Sequence, residues 1–431
     1  MLSFNLCPFY LPNENMKRNY YIVALIMLTF FVISFVTNVI GPLVPDIISG
    51  FNLSLTLVAL LPFAFFIAYG VMSIPSGMLI EKYSEKKMMV VAFIIAFIGS
   101  LILALFPNYL TAVLSLFIIG CGFAMLQVVI NPLLRTAGGE EHYAFNSVLA
   151  QLIFGGASFL SPLVYSYMVL NLKDPANTSL SIFRSIVPAN LPWISLYWLF
   201  TVLSILMIVI IGASKFPKVE LTGEEKAGPL QTHIMLFKKR VVVLFFIGMI
   251  AYVGTEQGTA NWMSQFLATY HHYDPQTTGA KAVAYFWGLM TAGGVIGLLL
   301  LKIMDSRKVL IIFTILALAF LSAALFGTAK VSLMAFPWIG FFASVMYPII
   351  FSLALNSLSE HHGSFSGIMV TGIIGGAIVP LIIGWLGDHL GLRNGMLFLY
   401  ITMGYILSVG FWAKPIITNK TIKLFEKKEM A

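Results

Sequence analysis

A chain of 431 residues, of which 59% are apolar and only 10% charged, has too few charges to cover a surface facing water. Its mean hydropathy of +0.93 and its long apolar runs exclude an ordinary soluble domain, and the runs lack the period-two alternation of a membrane barrel. The net charge of +8 would suit a nucleic-acid partner, but its placement along the chain has another cause.

A run of about 20 apolar residues crosses the bilayer core as a helix, because only a helix or a closed barrel satisfies its backbone there. In chain order, such runs fall near 20–46, 55–80, 88–106, 110–134, 145–170 and 191–213. After a polar stretch, six more fall near 241–268, 281–301, 309–328, 332–357, 364–386 and 394–413. The expected fold class is an all-α membrane protein with twelve transmembrane helices in two pseudo-symmetric six-helix bundles. Its parts are a cytoplasmic segment 1–19, a bundle 20–213, a linker 214–240, a bundle 241–413 and a tail 414–431. Met16-Lys17-Arg18-Asn19, just before the first run, reads as a natural start, and that run is too long for a cleavable signal peptide.

With the N-terminus inside, Lys173, Arg184, Lys281, Lys330 and Arg393 face out and the other 20 of the 25 basic residues face in. The positive-inside rule then places both termini in the cytoplasm of a multi-pass protein of the plasma (inner) membrane. The basic excess is thus a topology signal, and no nucleic acid is expected. Cys7 and Cys121 are too few for a disulfide framework.

Residue identities recur at an offset of 220. Glu140, His142 and Phe145 match Glu360, His362 and Phe365, and Gly155-Gly156-Ala157 matches Gly375-Gly376-Ala377. Leu126-Gln127-Val128-Val129-Ile130 lies opposite Met346-Tyr347-Pro348-Ile349-Ile350. Two such halves are expected to hold a solute near the bilayer midplane and to rock about it. Between spans two and three, Gly77, Glu81, Lys86 and Lys87 resemble the loop signature of the major facilitator superfamily, with Glu81 in place of the usual aspartate. Gly297, Asp305, Arg307 and Lys308 give a weaker echo in the second half. These residues are expected to gate the cytoplasmic side by ion pairing; simple orientation by charge is the alternative.

Glu256 is the one acid near the middle of a span, in Tyr252-Val253-Gly254-Thr255-Glu256-Gln257-Gly258. A charge there costs about 2.5–3.5 kcal/mol on insertion scales, so it is expected to couple a proton or cation, or to accept from solute hydroxyls. The other reading is a neutral acid bonded to a neighbouring helix. Gly254 and Gly258 are expected to let the helix loosen. Asn38, Gln127, Asn131, Gln151, Gln257, Asn261, Tyr347, Asn356 and Thr371 also place polar groups in the spans, with Trp262, Phe286 and Trp287 nearby in sequence. Amides beside aromatic faces suit a neutral sugar, although such groups often only join helices. The histidines lie mainly in loops and no phosphate-binding GxxxxGK is present, so no enzyme, metal or cofactor is expected.

Several segments together resemble the fucose–galactose–glucose proton symporter family of the major facilitator superfamily: Ile74-Pro75-Ser76-Gly77, Asn131-Pro132, Leu149-Ala150-Gln151, Lys215-Phe216-Pro217, Tyr252-Val253-Gly254, Tyr347-Pro348-Ile349-Ile350-Phe351-Ser352-Leu353 and Ile373-Ile374-Gly375-Gly376-Ala377-Ile378-Val379. The resemblance implies secondary transport of a monosaccharide, often with protons. It also implies an aspartate late in span one and a glutamate before Asn-Pro in span four, where this chain has Gly41 and Gln127. An amide cannot exchange a proton as a carboxylate does. Coupling would then fall to Glu256, to another ion such as sodium, or be absent. The expected partners are a sugar, a proton or sodium ion and the bilayer, with the chain a monomer. Rival expectations are a carrier or exporter of another small organic solute and a non-transporting membrane sensor.

Overall fold

The computed structural model describes residues 19–416 apart from 140–141, 173, 175–179, 218–229, 359 and 361. Among them are no strands and twelve helices long and apolar enough to cross a membrane. In chain order the spans are Tyr20–Phe51, Leu55–Ser73, Glu85–Leu105, Tyr109–Gly138, Phe145–Leu172 and Pro192–Ala213, then Arg240–His271, Pro275–Ile303, Ser306–Phe326, Ala329–Leu355, Ser364–Leu390 and Leu392–Trp412. The helix that carries span two continues to Lys82.

Several spans outrun the apolar stretches because polar caps extend them. Asn108 and Thr111 form a reciprocal capping box at the start of span four, with Asn108 Oδ1 3.0 Å from the Thr111 amide. Asp305 starts span nine by accepting from the Arg307 amide at 2.8 Å. Span one is the least regular in the first half: its helix stops at Thr37 and restarts at Ile40. Asn38, at the break, donates to Ser158 Oγ of span five at 2.8 Å, and Ser34 Oγ donates to the Phe154 carbonyl at 2.5 Å.

The two halves repeat one packing scheme. Span one lies on span five, two on four, three on four, and three on six; likewise seven lies on eleven, eight on ten, nine on ten, and nine on twelve. Apolar burial cannot drive helices together in lipid, so close contact must. Gly120 of span four provides such a contact: a Cβ there would lie 2.4 Å from the Phe65 carbonyl oxygen. Its counterpart Gly340 would place one 2.4 Å from the Phe286 carbonyl oxygen. The offset of 220 seen in the sequence is therefore a repeat of packing. Contacts between the halves join span two to eleven, five to eight, and one to seven.

Of the expected parts, 1–18, 218–229 and 417–431 lie outside the described residues. The remaining linker holds a short helix, Leu230–Phe237, before span seven.

Candidate functional site

Span seven places the site. It runs unbroken from Arg240 to His271, so the expected loosening at its glycines does not occur. Gly254 and Gly258 instead admit span eleven: Cβ atoms there would lie 2.2 Å from Val379 Cγ2 and 3.0 Å from Ile383 Cδ1. Within 251–260 every residue is buried except Glu256, which keeps some accessible surface.

The Glu256 carboxylate takes a donor on each oxygen. Tyr252 Oη donates to Oε2 at 2.5 Å and Gln257 Nε2 donates to Oε1 at 3.1 Å. Tyr252 and Glu256 are one turn apart, so a regular helix stacks them on one face. Aromatic rings continue outward from the pair. The Tyr252 ring centroid lies 5.7 Å from that of Tyr347, which stacks on Phe351 at 5.8 Å. Gly376 of span eleven lies between the halves, where a Cβ would be 3.0 Å from Phe66 Cγ of span two and 3.1 Å from Gln257 Cγ of span seven. The acid thus sits in a polar and aromatic cluster beside the seam between the bundles. Among the described residues no basic side chain pairs with it.

Not all of the polar residues singled out in the sequence join this cluster. Gln257 and Tyr347 do. Asn38 is committed to Ser158 and lies within the first bundle. Asn356 is not mid-span: it follows the last turn of span ten, and its carbonyl accepts from the Ile416 amide at 2.7 Å. Gln127 is half-buried on span four, while Asn131 on that span and Gln151 on span five are exposed. Thr371 donates to the Ile368 carbonyl at 2.6 Å. Asn261 Nδ2 and Trp287 Nε1 are buried donors with no hydrogen-bond partner among the described residues. Two members of the cluster, Tyr252 as the acid's partner and Phe351 as the stacked ring, were not singled out as site residues. The first was legible in principle from its spacing of four from Glu256.

Position 41 is also explained. A Cβ on Gly41 would lie 2.4 Å from the Ala260 carbonyl oxygen, so span one crosses the backbone of span seven here with no room for a side chain.

Of the residues expected to gate, Lys86, Asp305 and Arg307 bond inside their own bundles. Lys86 Nζ donates to the carbonyls of Gly212 and Ser214 at 2.7 and 2.8 Å, tying span three to the end of span six. Arg307 repeats this in the second half, reaching the Ala413 carbonyl at 3.5 Å beyond span twelve and pairing with Asp305 at 3.3 Å. A cation at a helix C-terminus offsets the exposed carbonyls and the dipole. Burial raises the Asp305 carboxyl, but bonds from the Arg307 side chain and the Arg307 and Lys308 backbone outweigh it, and it titrates below the ordinary range. Lys87 and Lys308 are exposed, and Gly77 is half-buried in the span-two helix. Glu81 lies in the last turn of that helix, and its side chain is outside the described residues. Among the described residues, no group of histidine, cysteine and acidic side chains could hold a metal.

A family model described as Major Facilitator Superfamily matches residues 26–380, and the chain belongs to that superfamily. The glucose/galactose transporter of Brucella abortus is 31% identical over 412 residues, covering 94% of this chain and 96% of the relative. The L-fucose-proton symporter of Escherichia coli is 27% identical over 397 residues, covering 87% and 89%. Two solved structures show the same fold. FucP in the outward conformation has a TM-score of 0.65 at 22% identity, covering 92% of this chain and 100% of that one. The inward-facing, unoccupied bacterial homolog of the human lysosomal transporter Spinster has a TM-score of 0.76 at 15% identity, covering 92% and 98%.

Proposed function

We propose that this protein carries a monosaccharide across the cell membrane by alternating access, with Glu256 as the group that couples uptake to a proton or cation. The bundles that move are 20–213 and 241–413, and both termini face the cytoplasm, as the charge distribution requires. The observation that carries the reading is Glu256 itself. It is a mid-span carboxylate with two donors, no basic partner among the described residues, and aromatic neighbours beside the seam. A carboxylate in that setting is balanced by whatever positive charge arrives with the solute. Tyr347, Phe351 and Gln257 offer the ring faces and amide that suit a sugar, and Asn261 and Trp287 hold donors for its hydroxyls. The named sugar transporters among the relatives support the same substrate class.

Radiolabelled hexoses and deoxyhexoses, set against a panel of other small solutes in proteoliposomes, test the substrate. Glu256→Gln tests the coupling. It is expected to abolish uphill uptake while keeping solute exchange, and undiminished uphill uptake by the variant would refute the role. Binding without flux in sealed vesicles would make the protein a sensor instead.

A further inference from the structure

The two bundles are fastened to each other at one face by a pair of reciprocal carboxylate contacts. Span two begins there with Leu55 and Thr56. Asp388 of span eleven, in the other bundle, accepts from the Leu55 amide through Oδ1 at 2.8 Å, and from the Thr56 amide and hydroxyl through Oδ2 at 2.8 and 2.5 Å. Span eight begins at the same face with Pro275 and Gln276. Asp46 of span one, again in the other bundle, accepts from Gln276 Nε2 at 3.0 Å through Oδ1 and 3.2 Å through Oδ2. Tyr165 of span five donates to the same Asp46 carboxylate at 2.8 Å.

Thr56 and Gln276 are 220 residues apart, the offset of the repeat. Each bundle therefore offers the start of its second helix to an acid from its partner. The Leu55 and Thr56 amides belong to a first helical turn, where backbone N–H groups have no partner within the helix and the dipole favours an anion. Asp388 satisfies them from the opposite bundle. Its approach depends on Gly384, one turn earlier, where a Cβ would lie 2.6 Å from the Leu55 carbonyl oxygen.

We propose that Asp388 and Asp46 are positioning residues of the transport cycle, two latches that hold this face shut and that must both release when the bundles rock apart. Alternating access requires the seam to open at each face in turn. When this face opens, water can replace both sets of donors. The net strength of each latch is therefore modest, as a contact broken in every turnover must be. With the N-terminus in the cytoplasm, the shut face is the outer one.

Spin labels at Leu110 and Lys330 read the opening directly. Both are exposed, at the starts of spans four and ten on the latched face, one in each bundle. In full-length protein with Cys7 and Cys121 replaced by serine, the parent should give one dominant short distance. Asp46→Ala with Asp388→Ala should raise the ratio of long to short distances by about tenfold or more, since hydrogen bonds to a charged group are individually worth that much. Asp388→Asn, which keeps one acceptor, should fall between. Gly384→Val leaves both acids in place but wedges span eleven from Leu55, and should also lengthen the distance. A purely structural role would lower the melting temperature of the double alanine variant with the distances unchanged, and that result overturns the proposal. If that variant does not fold, unchanged distances in Gly384→Val overturn it equally.

Discussion

Tyr252 and Glu256 stand one turn apart in span seven, and the tyrosine hydroxyl donates to the glutamate carboxylate at 2.5 Å. The tyrosine is itself buried, so this bond forms away from bulk water, where it counts for more. Tyr252→Phe removes the donor and keeps the ring against Tyr347. Uphill uptake should fall about tenfold or more, given roughly 1.5–3 kcal/mol for a bond to a charged group. Solute exchange, which Glu256→Gln keeps, closes the cycle: Tyr252→Phe should slow exchange in the wild-type background and far less in the Glu256→Gln background, because there is no charge left to serve. Equal losses of exchange rate in the two backgrounds would separate the two residues functionally.

Asn38 has a different task. Its bond to Ser158 joins spans one and five inside one bundle. Asn38→Ala should lower the melting temperature in detergent and leave the KM for solute unchanged. Interhelical bonds in membranes average roughly 0.6 kcal/mol, so a small shift is expected. A rise in KM with unaltered stability would return Asn38 to the solute site.

Gly120 and Gly340 should respond alike. Adding a valine side chain at either forces the neighbouring carbonyl away, at about 1–3 kcal/mol for overpacking. Thermal unfolding of Gly120→Val and Gly340→Val should show similar losses. A loss at one position alone would mean that only one half depends on this contact.

Asp305 gives a pH dependence whose sign is fixed. Its folded form titrates below the ordinary carboxylate range because bonds from Arg307 and Lys308 outweigh burial. Its contribution is therefore complete above the ordinary range and is lost as pH falls through the depressed value. Wild type and Asp305→Asn should differ in melting temperature by a constant amount above about pH 5, and converge in stronger acid. The side chain is 28% exposed, so solvent screens the pair and the difference should be small. A gap that widens on acidification would contradict the assignment.

The span count, the doubled half and the mid-span acid were readable from the chain because each is local or periodic. Twenty apolar residues make a span whatever surrounds them, and a charge in such a run stands out by composition alone. The 220-residue offset was visible as glycine and aromatic identities, and the structure converts it into matched contacts at Gly120 and Gly340. The amides were harder. Asn38, Asn261 and Asn356 look alike in sequence, yet one is committed to a neighbouring helix, one buries an amide nitrogen with no partner among the described residues, and one lies past a helix end. Hydropathy says that a helix crosses the membrane but not which face it turns to which neighbour.

What the sequence determined by itself was a chain that must live in lipid and the residue whose charge needs an answer. Only the tertiary structure decided what Asp46 and Asp388 meet. Both lie near span ends, where an acid is unremarkable, and their partners Gln276 and Thr56 are 230 and 332 residues away along the chain. Periodicity reaches a few turns of helix. Contacts between bundles arise from packing across the seam, and no local pattern of side chains encodes them.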